Sequence, residues 1–240
     1  VVDAGVNGDF PDHERLLKYK IAPGTKNFRH EPAMTPEQCE QAIAAGAEIV
    51  KQRKTEGCNV IVFGEMGIGN TTPAAALLSV LGNLPPDVCT GRGTGLDDAG
   101  LAHKTKVIAD AIAQHAIEPD PFTALTTFGG FEIAMMCGAF LQAAQEKMVI
   151  LVDGFIVSSA LLVATKLYPA VLEYCIFCHM SAETGHRKML ELLNVDPILN
   201  MNFRLGEGSG AVVAYPLVES AVCFLNEMAS FASAGVSEKL

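Results

Sequence analysis

Short apolar runs alternate with longer helical patterns along the 240-residue chain. The short runs are rich in β-branched and aromatic residues and predict strands at 1–6, 59–63, 122–127, 148–152 and 174–178. The longer patterns predict helices at about 72–82, 96–117, 130–146, 154–167, 183–193 and 209–230. Alternation of this kind predicts an α/β fold, with a doubly wound, mostly parallel sheet and helices on both faces.

A further long helix is predicted between the first two strands, and its start is well marked. Thr35 is expected as the N-cap, Pro36 as the first helical residue and Gln38 as the partner of Thr35 in a capping box. The helix is expected to run to about Glu56 and to stop at Gly57.

Most of the predicted strands run into loops that carry glycine, an acid or both. These loops are "GEMGIGNTTP" (64–73), "FGGFE" (128–132), "DGFI" (153–156) and "HMSAETGH" (179–186). In parallel α/β sheets, ligands bind beyond the carboxyl ends of the strands. We therefore expect these loops to gather along one edge of the sheet.

The loop at 64–73 resembles a phosphate-binding turn without being a P-loop, because it lacks the P-loop lysine and spacing. Backbone N–H groups, hydroxyls and the dipole of the following helix, with Pro73 as its first residue, are able to hold one monophosphate. The candidate residues are Gly67, Gly69, Asn70, Thr71 and Thr72. An ordinary tight turn with an N-cap remains the alternative.

A second glycine-rich segment, "GRGTGLDDAGLAHK" (91–104), offers flexible glycines such as Gly93 and the cations Arg92 and Lys104. Its adjacent acids, Asp97 and Asp98, are candidates for a magnesium site. Magnesium-binding pairs of this kind follow an apolar strand, whereas these acids stand at the start of a predicted helix. The sequence therefore favours helix capping over metal binding.

Two glutamates stand beside glycines without a lysine or arginine within two residues. They are Glu65 in the first loop and Glu207 in "RLGEGSGA" (204–211), where Ser209 is expected to cap the following helix. A carboxylate in a partly dry pocket has a raised pKa and is a usable base. Glu132 and Glu183, in contrast, are expected to compensate helix dipoles.

Composition and charge exclude several classes of partner and cofactor. The net charge of −10 and pI near 5.0 argue against nucleic acid and anionic membranes as partners. The seven cysteines form no disulfide-like pattern, which indicates a reducing, cytoplasmic setting. "CIFCH" (175–179) is a poor haem or zinc motif, since residues three apart on a strand point to opposite faces, and core cysteines are expected instead.

No signal peptide and no continuous run of about 18 apolar residues is evident. The whole of 1–240 is predicted to be one α/β domain. The chain opens within a predicted strand and without methionine, and we expect that it lacks an N-terminal segment.

Six motifs in order resemble the nicotinate-nucleotide–dimethylbenzimidazole phosphoribosyltransferase family of cobalamin nucleotide-loop assembly. They are "GEMGIGNTT", "GRGTGLDD", "GGFEIA", "DGFI", "SAETGH" and "RLGEGSGA". The resemblance implies a small helical subdomain, a homodimer, and no cofactor or catalytic metal. It also implies transfer of phosphoribose from nicotinate mononucleotide to dimethylbenzimidazole, giving nicotinate and α-ribazole phosphate with inversion at C1′.

The resemblance also implies roles for individual residues. Glu207 would be the catalytic base, and Glu65 would assist orientation or charge stabilisation. Residues that would help to hold the phosphate are Gly67, Asn70, Thr71, Gly93 and Lys104. Ser181 would lie near the nicotinate carboxylate, and Met66 and Leu205 would line the benzimidazole pocket.

Three alternatives remain open from the sequence. One is a magnesium-dependent transferase that uses phosphoribosyl pyrophosphate and the Asp97–Asp98 pair. Another is a non-catalytic module that binds nicotinate mononucleotide, although such a module gains nothing from two carboxylates beside an anion. The third is a different acceptor base, such as adenine or a phenol, because the aromatic pocket is incompletely represented here.

Overall fold

The computed structural model describes residues 1–235. The strands are β1 (Val2–Asp3), β2 (Leu17–Lys18), β3 (Val60–Val62), β4 (Val149–Val152), β5 (Cys175–Phe177), β6 (His179–Ser181) and β7 (Leu199–Phe203). The helices are α1 (Pro36–Thr55), α2 (Thr71–Gly82), α3 (Pro86–Cys89), α4 (Asp98–His115), α5 (Pro121–Phe128), α6 (Phe131–Gln145), α7 (Phe155–Leu167), α8 (Thr184–Leu193) and α9 (Ser209–Glu227). A 3-10 helix spans Pro169–Tyr174.

The central sheet consists of β3, β4 and β5, all parallel and in chain order. Two parallel pairs, β1 with β2 and β6 with β7, stand apart from it. The predicted α/β class with parallel sheets is confirmed.

Helices cover both faces of the central sheet because side chains alternate along each strand. Ile150 and Val152 belong to the main core, with α6 and α7. Leu151 points the other way and joins a smaller cluster with Ala211 and Ala214 of α9. The sheet therefore has the two-sided burial that the apolar strands predict.

The predicted start of α1 is confirmed in detail. Gln38 donates its backbone N–H to Oγ1 of Thr35, and the side chain of Gln38 accepts from the backbone N–H of Thr35. The helix ends at Thr55, with Glu56 as its C-cap and Gly57 in the left-handed region. Local capping chemistry was sufficient to place both ends.

Two strand predictions require correction. Residues 122–127 form helix α5, because Asp120 accepts the N–H of Thr123 as an N-cap and Pro121 favours the first helical turn. These signals outweigh the strand preference of the threonines. The strand predicted at 1–6 is only β1, since the side chain of Asp3 accepts the N–H groups of Gly5 and Val6 and turns the chain there.

The predicted helix starts near the candidate site also shift. Helix α2 begins at Thr71, two residues before Pro73, and α9 begins at Ser209 with Gly208 as its N-cap. Ser209 is therefore not the cap that the sequence suggested, and no side chain of the helix's own segment replaces it.

Helix α9 packs only its first turns on the sheet and leaves a long apolar surface exposed. Within residues 1–235 it is the one helix long and apolar enough to cross a membrane, by length and composition alone. Pro216 and Glu219 interrupt its apolar sequence. Length and apolar composition are weak evidence for a membrane span, because apolar helices at protein interfaces also meet both criteria.

Candidate active site

The candidate loops meet at the carboxyl edge of the central sheet. Glu65 lies shortly after the end of β3, Asp153 directly follows β4, and β6 begins just after β5. Parallel strands bring their carboxyl ends to one edge, so this convergence follows from the topology. Three loops arrive from elsewhere: the 91–97 segment lies between α3 and α4, the 128–132 loop lies between α5 and α6, and the Glu207 loop follows β7.

The two loops that carry Glu65 and Glu207 touch through their backbones. A methyl group on Gly64 would lie 2.5 Å from the carbonyl carbon of Glu207 and 2.7 Å from the nitrogen of Gly208. A methyl group on Gly206 would lie 3.2 Å from Oε1 of Glu65. Only glycine at position 64 allows the chains to approach so closely. The acids selected from the sequence therefore belong to one site.

Glu65 is half-buried and accepts a hydrogen bond from Nδ2 of Asn70 at 2.7 Å. Burial raises the pKa of its carboxyl group, and the hydrogen bond from Asn70 only partly opposes that rise. Three neighbouring carboxylates raise this pKa further, namely Glu132, Asp153 and Glu207. The raised pKa expected of a carboxylate in a partly dry pocket is found at Glu65. The same pocket was expected around Glu207, but that residue is exposed.

Glu207 stands at the centre of three successive left-handed residues. Its φ is 59°, and those of Gly206 and Gly208 are 75° and 80°. A non-glycine residue in this region is uncommon and is held there by its surroundings. The side chain of Glu207 is exposed, so it is accessible to a ligand in the open site.

Three apolar side chains are exposed beside the two acids. Met66 is 66% exposed, Ile68 is 76% exposed and Leu205 is 68% exposed. They lie on the same two loops as Glu65 and Glu207. An aromatic ring placed between these loops would contact both apolar surface and carboxylate.

A polar cluster forms where α2, α4 and the 91–95 loop meet. Nζ of Lys104 donates to Oγ1 of Thr71 at 2.7 Å and to the carbonyl oxygen of Gly91 at 3.2 Å. A methyl group on Gly93 would lie 3.0 Å from the same Thr71 hydroxyl and 3.6 Å from Nζ. Burial lowers the pKa of Lys104, and the charge of Glu183 partly restores it. The structure thus brings together three residues predicted to bind phosphate: Thr71, Gly93 and Lys104.

The rest of the first loop leads from this cluster towards Glu65. A methyl group on Gly67 would lie 3.7 Å from Oε2 of Glu65, and Gly69 adopts a left-handed φ of 88°. The side chain of Asn70 is committed to Glu65 and does not cap α2. The start of α2 therefore lacks a capping side chain, as expected where a ligand takes that place.

The "SAETGH" segment joins the site through Glu183. Its carboxylate lies against Gly91, where any side chain would overlap it, and one buried carboxylate oxygen has no hydrogen-bond partner. Ser181 lines an open cleft of about 630 Å³ with Glu183 and Arg187. Glu183 is the N-cap residue of α8 without a capping hydrogen bond from its side chain, and its carboxylate lies instead beside the Lys104 cluster.

A buried histidine fixes the backbone at Ser181. The backbone N–H of Ser181 donates to Nδ1 of His186 at 2.9 Å. Burial lowers the pKa of His186 to about 3, so the ring is neutral at physiological pH. Nε2 therefore carries the hydrogen and donates to Oγ of Ser158 at 3.1 Å.

The acids of the second glycine segment are engaged with the protein. Asp97 is the N-cap of α4 and accepts the N–H of Gly100 at 2.7 Å, as predicted. Asp98 pairs with Arg92, which also donates to the carbonyl oxygen of Leu96. Asp97 therefore caps α4, and Asp98 pairs with a residue of its own glycine-rich segment.

The "CIFCH" cysteines are core residues, as expected. Cys178 is buried, Cys175 is half-buried, and burial raises the pKa of each thiol to about 12. His179 pairs instead with Asp153. Within residues 1–235, no group of three or more His, Cys, Asp or Glu side chains has a metal-binding arrangement.

Asp153 and His179 are site residues to which the sequence alone assigned no role. The signal for Asp153 was present, because it directly follows an apolar strand in "DGFI". Its partners lie 26 to 57 residues further along the chain, so no local pattern reveals them.

A family model described as "Phosphoribosyltransferase" matches residues 1–236. A nicotinate-nucleotide–dimethylbenzimidazole phosphoribosyltransferase of Dechloromonas aromatica is 56% identical over 242 aligned positions, which cover 100% of this chain and 70% of that protein. The protein of the same name from Cupriavidus taiwanensis is 56% identical and aligns with 99% of this chain and 68% of its own length.

Solved structures agree with these relatives. The crystal structure of CobT from Thermus thermophilus superposes with a TM-score of 0.94 at 42% identity, covering 99% of this chain and 71% of that one. A second structure, of the nicotinate-nucleotide–dimethylbenzimidazole phosphoribosyltransferase from the same organism, gives a TM-score of 0.92 at 40% identity, with coverage of 99% and 70%.

Proposed function

The chain belongs to the nicotinate-nucleotide–dimethylbenzimidazole phosphoribosyltransferase family, and on this basis we propose that it transfers phosphoribose from nicotinate mononucleotide to dimethylbenzimidazole. The products are nicotinate and α-ribazole phosphate, an intermediate of cobalamin nucleotide-loop assembly. The observation that carries the proposal is the contact between the Glu65 and Glu207 loops, beside a separate lysine and hydroxyl cluster.

Glu207 is proposed as the general base. One ring nitrogen of dimethylbenzimidazole attacks C1′, while the other nitrogen loses its proton to the carboxylate. General-base catalysis typically contributes about 10²–10⁴-fold in rate. The exposed position of Glu207, flanked by exposed Leu205 and facing the loop of Met66, supports this role.

Glu65 is proposed to orient the ribose or to stabilise positive charge at C1′. The attacked carbon gains oxocarbenium character as nicotinate leaves. A carboxylate that is half-buried and surrounded by other acids is relieved of repulsion when a cation forms beside it. Asn70 fixes the orientation of this carboxylate.

The phosphate is proposed to bind at the start of α2. Lys104 and Thr71 already form a hydrogen-bonded pair there. Gly67, Gly69 and Gly93 have no side chain, so a phosphate is able to approach their backbone closely. A helix N-terminus adds N–H donors and a favourable dipole. We propose that Ser181, positioned by His186, contacts the nicotinate carboxylate.

The reaction is proposed to need no metal. Nicotinate leaves from a pyridinium cation and becomes neutral at its ring nitrogen, whereas a pyrophosphate leaving group requires a cation to neutralise it. The N-cap role of Asp97 at the start of α4 favours this interpretation over the magnesium-dependent alternative. The expected result is unchanged turnover in excess EDTA, and loss of turnover would support the alternative.

We propose that the protein is a cytoplasmic homodimer. All seven cysteines are free thiols, which suits a reducing compartment. The exposed apolar surface of α9 suits a protein interface. Cell fractionation with immunoblotting tests the compartment, and recovery in a membrane fraction would contradict it.

The activity is tested by incubating the protein with nicotinate mononucleotide and dimethylbenzimidazole and measuring both products by chromatography. Equimolar release of nicotinate and α-ribazole phosphate is expected. Binding of the nucleotide without release of nicotinate, with dimethylbenzimidazole, adenine or a phenol as acceptor, would instead support a non-catalytic binding module.

A further inference from the structure

Asp153 is a buried carboxylate that the proposed chemistry does not use. It is 1% exposed and lies at the end of β4, beneath the loop that carries Glu207. Burial opposes its charged form, yet His179 and two backbone N–H groups hold its pKa below the ordinary value. It is therefore a carboxylate acceptor at neutral pH.

Each oxygen of Asp153 accepts from the Glu207 loop. Oδ2 accepts the N–H of Gly208 at 3.0 Å, and Oδ1 accepts the N–H of Gly210 at 2.8 Å. Oδ1 also lies 3.2 Å from Nε2 of His179, which is itself 1% exposed. These contacts place a carboxylate at the first turn of α9, which has no capping side chain of its own.

The Glu207 backbone depends on such support. Three consecutive left-handed residues, two of them glycines, have many alternative conformations in the absence of tertiary contacts. Asp153 holds the residue directly after Glu207 and the residue two positions further on. Gly210 is closely fitted, since a methyl group there would overlap the His179 ring and lie 2.7 Å from Oδ1 of Asp153.

We propose that Asp153 is a positioning residue for catalysis: it holds the Glu207 loop in its left-handed conformation through Gly208 and Gly210, with His179 fixing the Asp153 carboxylate. The proposal rests on the proposed transferase function. It assigns Asp153 no contact with substrate and no proton transfer in the reaction.

A double-mutant cycle tests the proposal. Asp153→Asn keeps the shape of the side chain but replaces one acceptor oxygen with a donor, so it cannot accept both N–H groups. We expect kcat to fall about 10- to 100-fold, while KM for nicotinate mononucleotide changes less than about threefold, because the Lys104 cluster lies on α2, α4 and the 91–95 loop. In a Glu207→Gln background the same change should lower the residual kcat less than about twofold.

The control is Ser159→Ala, which removes a buried hydroxyl of α7. Within residues 1–235 this hydroxyl donates only to the carbonyl oxygen of Ile156. It should leave kcat unchanged in both backgrounds. An equal loss of kcat from Asp153→Asn with and without Glu207 would overturn the proposal, because general structural damage is additive. If Asp153→Asn does not fold, Gly210→Ala is compared in the wild-type and Glu207→Gln backgrounds instead. A loss of kcat that is equal in both would again overturn the proposal.

Hydrogen exchange tests the positioning role of Asp153 independently of the transferase activity. In Asp153→Asn, the amides of Gly208 and Gly210 should exchange faster than in Ser159→Ala, whether or not the wild-type protein is active. Unchanged exchange would overturn the positioning role. An inactive wild-type protein would contradict the transferase function alone.

Discussion

Lys104 shows how a single buried charge prepares this site for an anion. Its ammonium group is held by Thr71 and Gly91, and burial lowers its pKa. The hydrogen-bond partners of Lys104 are neutral, and the negative charge of Glu183 acts on it without a hydrogen bond. A bound phosphate would give Lys104 a negatively charged partner in direct contact. Charge-assisted hydrogen bonds are worth about 1.5–3 kcal/mol.

We therefore predict that Lys104→Met raises KM for nicotinate mononucleotide roughly 10- to 150-fold, the equivalent of that energy. The matched control is Lys106→Met, which removes an exposed lysine of the same helix that pairs with Asp110. Steady-state kinetics distinguish the two variants. An equal effect of both would show that long-range charge, rather than the Lys104 cluster, binds the substrate.

Glu65 gives a prediction about pH and stability. Its folded pKa is raised above the ordinary 4.5, so the folded state binds the proton more tightly than the unfolded state. The contribution of this group to stability is thus present below 4.5 and is lost as pH rises through the folded pKa. At pH 7.5, Glu65→Gln should therefore raise stability by about 1 kcal/mol, or roughly 2–4 °C in Tm.

Thermal unfolding at pH 7.5 and pH 4 measures this effect. The gain should shrink at pH 4, where the wild-type glutamate is largely protonated. A Glu65→Gln variant that is less stable at pH 7.5 would contradict the repulsion from the neighbouring carboxylates.

Residue identity was predictable where the chemistry is local. Neighbouring glycines marked Glu65 and Glu207. The sequence also selected Thr71, Gly93 and Lys104, which the structure brings together. Asp153 and His179 were not predictable, because their partners come from distant loops. The role of Ser209 was also misjudged, since the N–H groups at the start of α9 bond to Asp153, which follows β4, and not to the side chain of Ser209.

At the scale of elements, the site depends on the approach of the β3 exit to the start of α9. We predict that Gly64→Ala lowers kcat about 10-fold or more, because the new methyl group would displace the backbone at Glu207 and Gly208. Gly8→Ala is the control, since no atom lies within 4 Å of the added methyl group. Normal kcat in Gly64→Ala would mean that the contact between the two loops is not needed for turnover.

Capping signals were better guides to the elements than residue preference. Thr35, Pro36 and Gln38 placed α1 correctly because a capping box is satisfied within four residues. The threonines of 122–127 suggested a strand, but Asp120 and Pro121 start a helix there. Strand pairs such as β6 with β7 were not predicted, because pairing of such short segments is decided by tertiary contacts.

At the scale of the molecule, the exposed surface of α9 predicts self-association. Val212, Phe224 and Leu225 are 68%, 65% and 86% exposed. Replacing Phe224 and Leu225 with serine should convert a dimer to a monomer, as measured by light scattering after size-exclusion chromatography. Tyr168→Ser, which removes another exposed aromatic residue, should leave the dimer intact. A wild-type protein that is monomeric at every concentration would contradict the proposed interface.

The whole fold was predictable as a class because alternating strands and helices leave few arrangements. The sheet alternates its side chains between two helical layers, and the parallel strands deliver the acidic loops to one edge. The direction of β3 and β4 therefore places Glu65 and Asp153 at one edge, and the Glu207 loop reaches them from the end of β7.

In the proposed reaction, Glu207 takes the proton of dimethylbenzimidazole while phosphoribose is transferred. The most direct measurement compares the wild-type protein with Glu207→Gln, which keeps the shape of the side chain but cannot accept the proton. Turnover is followed as nicotinate released from nicotinate mononucleotide with dimethylbenzimidazole, and nucleotide affinity is measured by calorimetry. We predict a loss of about 10²–10⁴-fold in kcat with unchanged affinity. Near-normal turnover in Glu207→Gln would show that Glu207 is not the general base.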